Sequence, residues 1–132
     1  KGVIASMDKF LRVDVQKGEC RFTDIPPEYR ELGGRGLTSA LISREVHPLC
    51  HPLGSSNKLV IAPGVLAGTT SPCSQRVSVG LKSPLTGGIK EANSGGISGQ
   101  KMGRLGLAAI ILEGKPASDR LHLLHISGTG IE

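Results

Sequence analysis

Aromatic side chains are almost missing from this 132-residue chain, which has two phenylalanines, one tyrosine and no tryptophan. A core must therefore be assembled from Leu, Ile, Val and Ala around Phe10, Phe22 and Tyr29. Single-stranded nucleic acid, which is gripped by aromatic stacking platforms, is disfavoured as a ligand. Cysteine is equally scarce. Cys20, Cys50 and Cys73 are odd in number, widely spaced and free of any C-x-x-C pattern. They supply neither a sequence-local zinc or iron–sulfur site nor a disulfide framework, so reduced thiols in a cytoplasmic protein are expected. No apolar run approaches the ~20 residues that cross a bilayer, and Lys1–Phe10 lacks the apolar segment of a signal peptide. Neither a membrane nor nucleic acid is expected as a partner. The formal net charge is +5, but the lysines and arginines are dispersed without a basic run. That surplus permits an anionic ligand without diagnosing one.

What the chain has in quantity is glycine, 19 residues, in a composition that is 38% hydrophobic and 20% charged. That balance suits one globular domain large enough to bury a core. Phe10–Val15 alternates, with Leu11, Val13 and Val15 on one face and Arg12 and Asp14 on the other, and Lys17-Gly18 turns it into Cys20–Thr23 as a hairpin. Pro26-Pro27 opens a short helical segment ending near Leu32, and Leu37–Val46 carries apolar residues at helical spacing until His47-Pro48 stops it. Strands are expected over Lys58–Ala62, Arg76–Lys82, Leu107–Leu112 and Leu121–Ile126, with a short helix over Ile97–Leu105. In the second strand Val77, Val79 and Leu81 are expected to pack, and Arg76, Ser78, Gly80 and Lys82 to face a cleft or solvent. Without a regular βαβ period the fold class is α+β, a mixed and antiparallel sheet with short helices. Gly128–Glu132 reads as a turn into a further strand, so residues 1–132 are expected to be a domain cut before its natural end.

Chemistry concentrates between Arg76 and Gly96, RVSVGLKSPLTGGIKEANSGG. Arg76 and Lys82 are six apart on one strand and so point the same way. Asn93 offers a carbonyl oxygen for a hard metal ion and an amide donor, and Gly95 lets the backbone approach a ligand. Arg35, in Gly33-Gly34-Arg35-Gly36 before a helix, adds a weaker candidate, since helix N-termini favour anions. The pattern suggests a cradle for a phosphate. The plain alternatives are a tight turn at Gly33–Gly36, an Asn/Gly turn at Asn93–Gly96 and a proline turn at Ser83–Gly87. Histidines 47, 51, 122 and 125 have no ligand partners at useful spacing, and no serine sits in a nucleophile elbow, so no catalytic dyad is expected.

In order and spacing, FLRVDVQKG, LGGRGL, HPLGSSNKLVIAPGVLAGT, QRVSVGLKSPLTGGIKEANSGG and LGLAAIILEGK resemble the amino-terminal domain of the tungsten-containing aldehyde:ferredoxin oxidoreductase family. The resemblance runs from about Lys9 to Lys115. It implies an enzyme that oxidises aldehydes to carboxylic acids and passes electrons through a [4Fe-4S] cluster to ferredoxin. The metal, tungsten or molybdenum, would be held by the dithiolenes of a bis-pterin cofactor (tungstopterin). By the matching motifs, Arg76 would contact pterin phosphate, Asn93 would bind the cofactor and its phosphate-bridging magnesium, and Gly95 would give close backbone contact. Lys82 and Arg35 are further candidates. Cys73, just before Arg76, is expected to be a buried structural thiol. The cluster cysteines would lie in other domains of the parent enzyme, so this chain alone is expected to be inactive, and a homodimer is compatible with the family. The alternative is a stand-alone phosphate- or pterin-binding module without redox activity.

Overall fold

A computed structural model describes residues 7–132. The segment read for a leader, Lys1–Phe10, lies mostly outside the described residues. Six strands, β1 (Lys9–Asp14), β2 (Glu19–Asp24), β3 (Lys58–Pro63), β4 (Val77–Lys82), β5 (Ile89–Ser94) and β6 (Leu107–Glu113), form one sheet in the order β2-β1-β6-β3-β4-β5. β1 and β6 are parallel and the other pairs antiparallel, so the sheet is mixed. Helix α1 (Gly34–Glu45) covers one face, and the short α2 (Ser98–Arg104) lies against the other. A small hairpin, β7 (Ile126–Ser127) with β8 (Gly130–Ile131), sits beside the α2 face through Ile126 and Ile131. The expected α+β class with a mixed sheet and short helices is what the chain forms.

The opening hairpin turns at Lys17-Gly18 as the sequence suggests, but β1 is buried on both faces. Leu11 and Val13 enter the α2-side core, whereas Phe10 lies beneath α1 with its ring centroid 6.1 Å from that of Tyr29. Strand β6 explains why its apolar run is unbroken. Lys9 opposes Leu107 but Phe10 opposes Ala109, so Ala108 is an extra residue that shifts the alternation. Leu107 and Ile110 then face α2, while Ala108, Ala109 and Ile111 face α1.

At the far end of α1, charge is organised rather than excluded. Arg12 on β1 pairs with Glu45 at 2.7 Å and Glu113 at 3.2 Å, and Lys58 on β3 meets the same two carboxylates at 2.7 and 3.0 Å. Arg21 adds a third cation to Glu113 at 3.3 Å. Burial by itself would raise the Glu45 and Glu113 carboxyls. Hydrogen bonds and attraction from Lys58 and Arg12 outweigh it and hold both below the ordinary carboxylate value. The Glu45 hydrogen bond holds the Arg12 guanidinium above its ordinary value.

Three local expectations change. Helix α1 begins at Gly34, so Arg35 and Gly36 belong to its first turn rather than to a loop before it. The alternating stretch Leu121–Ile126 is not a strand before Ile126, and Leu121 and Leu123 are wholly or mostly exposed, because no neighbouring strand is placed to pair with them among the described residues. Strand β5, where no strand is expected and where Asn93 and Ser94 are expected to form a turn or loop, pairs along its whole length with β4.

Candidate cofactor-binding site

Helix α1 runs along β4. Its start meets Ser78 (a Cβ on Gly34 would lie 3.4 Å from Ser78 Oγ), its second turn meets Gly80 through Thr38, and the loop after it covers Lys82. The face carrying Ser78, Gly80 and Lys82 is covered, against the expectation that it faces a cleft or solvent; on the other face Val77 enters the α2-side core as expected, while Val79 and Leu81 are half-buried. Small side chains at 78 and 80 let a helix approach where valine or leucine would hold it away. The turn into α1 is tight. Gly34 has φ +51°, and a Cβ on Gly33 would come within 2.7 Å of the Val65 backbone nitrogen. No side chain caps the first turn, so its first N–H groups have no side-chain partner among the described residues.

The end of the β4–β5 ladder lies at this same helix start. Val77 opposes Ser94 and Ser78 opposes Asn93, which brings Arg76 and Gly95 together one step further on. A Cβ on Gly95 would lie 3.8 Å from Arg76 Nη1, ordinary contact, so nothing within the chain demands glycine there. The Arg76 guanidinium is exposed and makes no hydrogen bond or ion pair among the described residues, while its main-chain carbonyl is engaged by the Gly64 N–H at 3.2 Å. Next to it, the buried Ser78 hydroxyl donates to Asn93 Oδ1 at 3.1 Å, Asn93 Nδ2 donates to Glu91 Oε1, and Arg35 Nε donates to Glu91 Oε2 at 3.4 Å. Arg35, Arg76, Asn93 and Gly95 thus gather at one end of α1.

Lys82 does not join them. Its side chain lies on the same face as Ser78, as alternation requires, but roughly 13 Å further along the strand and beyond the opposite end of α1. It is 7% exposed, and its ammonium donates to the carbonyl oxygens of Pro48 and of Cys50, the latter at 2.9 Å. Asn57 completes this lock, accepting from the Lys82 N–H at 3.1 Å and donating to the carbonyls of Lys82 and Pro52 at 2.9 and 2.7 Å. The donors read as available to an anion are used to hold the loop after α1. Cys73 is also corrected: it is exposed, with φ +58°, and is not a buried structural thiol.

Two participants escape sequence reasoning, Ser78 and Glu91. Ser78 resembles any polar residue of an alternating strand, and Glu91 falls in a segment not expected to be a strand at all. The i, i+2 spacing of Glu91 and Asn93 would have placed both on one face had β5 been recognised. Among the described residues no three His, Cys, Asp or Glu side chains converge as a metal site, so protein side chains of that kind do not form a metal centre there.

Fold and site together define an α+β domain with a polar surface at a helix start, backed by glycine and flanked by an arginine unpaired among the described residues. The chain belongs to the aldehyde ferredoxin oxidoreductase family, matching the model of the family's N-terminal domain over residues 10–132. It is 43% identical over 109 residues to a tungsten-containing aldehyde ferredoxin oxidoreductase of Thermococcus kodakarensis and 42% identical over 109 residues to that of Pyrococcus furiosus. Each alignment covers 81% of this chain but 18% of the relative, so the chain spans less than a fifth of their length. Among solved structures it resembles the active site complex BamBC of benzoyl coenzyme A reductase in complex with 1,5-dienoyl-CoA. There the TM-score is 0.89 at 29% identity, over 98% of this chain and 20% of that one.

Proposed function

We propose that this chain is the cofactor-holding domain of a tungsten-dependent enzyme that oxidises aldehydes to carboxylic acids. The observation that carries the reading is the pairing of Arg76 with Gly95 at the start of α1. A guanidinium without a protein partner among the described residues lies beside a glycine whose backbone a ligand can approach closely. A pterin phosphate suits that place, with Arg76 as a charge-assisted donor and the α1 N–H groups nearby adding favourable dipole. Asn93 brings an amide group to the same surface, polar chemistry suited to the phosphate end of the cofactor and to a magnesium ion that would accompany it.

Tungsten, or molybdenum in its place, carried by two pterins would supply two-electron oxidation of the aldehyde, with electrons leaving through a [4Fe-4S] cluster in other domains to ferredoxin. The work of this chain is to neutralise phosphate charge, fix the cofactor's orientation and present a rigid sheet behind it. Substrate choice belongs elsewhere in the parent, a division supported by the likeness of this domain to part of a reductase complex whose ligand is a dienoyl-CoA.

The test is metal analysis of the anaerobically purified parent protein and its variants. About one tungsten or molybdenum and about four iron atoms per chain are expected. Arg76→Ala and Asn93→Ala should each lower tungsten and pterin content while iron and circular dichroism stay unchanged. Full tungsten and pterin in both variants would remove the site assignment. A folded parent without tungsten, molybdenum or iron would favour the stand-alone binding module.

A further inference from the structure

Two glycines of α2, Gly99 and Gly103, are buried and lie four residues apart, on one face of the helix. A Cβ on Gly103 would strike the Ala67 carbonyl oxygen and come within 2.8 Å of the Gly68 nitrogen. A Cβ on Gly99 would strike the Gln75 carbonyl oxygen and lie 2.8 Å from the Gln75 carbonyl carbon and 3.0 Å from the Arg76 oxygen. The helix therefore rests by its backbone on two segments, and the second of them carries Arg76. The Arg76 carbonyl is held as well by the Gly64 N–H at 3.2 Å, whereas its guanidinium has no hydrogen bond or ion pair among the described residues. Where that side chain can reach is thus set by its main chain. Gly99 follows Gly95 by four residues, with the turn between them at Gly96, φ +109°. One short arm meets Arg76 twice, Gly95 beside the guanidinium and Gly99 on the main chain.

Resting on the reading of Arg76 as a cofactor ligand, we infer that Gly99 is a positioning residue of this site. It lets α2 close on the Gln75–Arg76 backbone, and so fixes the Arg76 guanidinium relative to the Gly95 backbone. A methyl group at position 99 cannot be absorbed by a yielding side chain, because every atom it would meet is main chain. Ordinary contact distances of about 3.5–4.0 Å return only if α2 and the Arg76 segment part by roughly 1 Å. Hydrogen bonds weaken steeply over such a displacement, and a guanidinium fork is matched to its anion in direction as well as distance. Gly103 gives the same helix its seat on Ala67 and Gly68. The two glycines thus divide the work, one for the fold and one for the reach of Arg76.

The experiment follows the release of pterin and tungsten from the cofactor-loaded parent enzyme at a fixed temperature below unfolding. Gly99→Ala, Gly103→Ala and Arg76→Ala are compared, with each glycine variant also made in the Arg76→Ala background. Gly99→Ala should speed release about tenfold, the scale of one weakened hydrogen bond to a charged group. With Arg76 already replaced it should add less than about twofold, because residues that act through one another are not additive. Gly103→Ala should speed release by less than about threefold, and equally in both backgrounds. Equal acceleration by Gly99→Ala in both backgrounds overturns the inference, because the helix would then act on the fold and not through Arg76. Gly103→Ala coupled to Arg76 as strongly as Gly99→Ala overturns it too. Native-like release in Gly99→Ala, beside faster release in Arg76→Ala, overturns the role of Gly99 and leaves the site reading standing. Native-like release in Arg76→Ala overturns both. Should Gly99→Ala fail to fold, Gly96→Ala strains the turn of the same arm at a position where a Cβ meets nothing within 4 Å. Faster release that vanishes in the Arg76→Ala background then supports the inference, and native-like or background-independent release overturns it.

Discussion

A Cβ added to Gly80 would lie 2.6 Å from the Cβ of Thr38. Helix α1 crosses β4 so closely at this point that hydrogen is the only tolerated side chain, and the approach sets where the helix begins relative to Ser78 and Asn93. Gly80→Ala should therefore destabilise the protein by about 1–3 kcal/mol through overpacking. Gly128→Ala, where a Cβ meets nothing within 4 Å, should change stability by less than about 0.5 kcal/mol. Urea unfolding of the two variants checks the contrast, and equal midpoints would refute the close approach.

Lys82 and Arg76 share a strand and a charge yet should respond differently to removal. Lys82→Met keeps the length of the side chain but leaves the carbonyls of Pro48 and Cys50 without their donor. A loss of about 1–3 kcal/mol is expected, with faster proteolytic cleavage between residues 47 and 57. Tungsten and pterin per folded chain should not fall, in contrast to Arg76→Ala. Cofactor loss in Lys82→Met with unchanged stability would reverse the assignment.

Acid should undo the charged cluster joining β1, β3, β6 and α1. Glu45 and Glu113 titrate below the ordinary carboxylate value in the folded protein. Their pairing therefore stabilises the fold fully above the unfolded-state value of about 4.5 and is lost as pH falls through the lower folded values. Lys58→Met removes a cation from both carboxyls and should move the acid limb of the stability curve to higher pH. It should also cost about 2 kcal/mol near pH 7, because a partly buried charge pair is broken. Thermal midpoints measured from pH 3 to 7 decide the matter, and an unshifted acid limb would show that the cluster is inert.

Much of this was legible in the sequence wherever the signal is local. The Lys17-Gly18 hairpin, the helix stopped at His47-Pro48 and the β3 strand follow from turn chemistry and apolar spacing. Arg76, Asn93 and Gly95 stood out because charge, amide and glycine cluster within twenty residues. The errors share a physical origin in tertiary packing. Alternation in β4 told correctly that Ser78, Gly80 and Lys82 share a face, but polarity suggested that it was the open one. A helix approaching over small residues, and carbonyls waiting for an ammonium, are properties of distant segments. β5 lay hidden because Gly87-Gly88 and the exposed polar residues of an edge strand read as loop. Leu121–Ile126 shows the converse, alternation without a partner strand to pair with.

The parallel pairing of β1 with β6 has a consequence for how this domain is made. β1 lies between β2 and β6, so the amino-terminal hairpin cannot take its place in the sheet until residues 107–113 have been synthesised. At roughly 5–20 residues per second the hairpin waits several seconds outside the ribosome with Phe10 and Leu11 uncovered. During that interval a hairpin that emerges early is secured late, and chaperones have their opportunity on its uncovered apolar face.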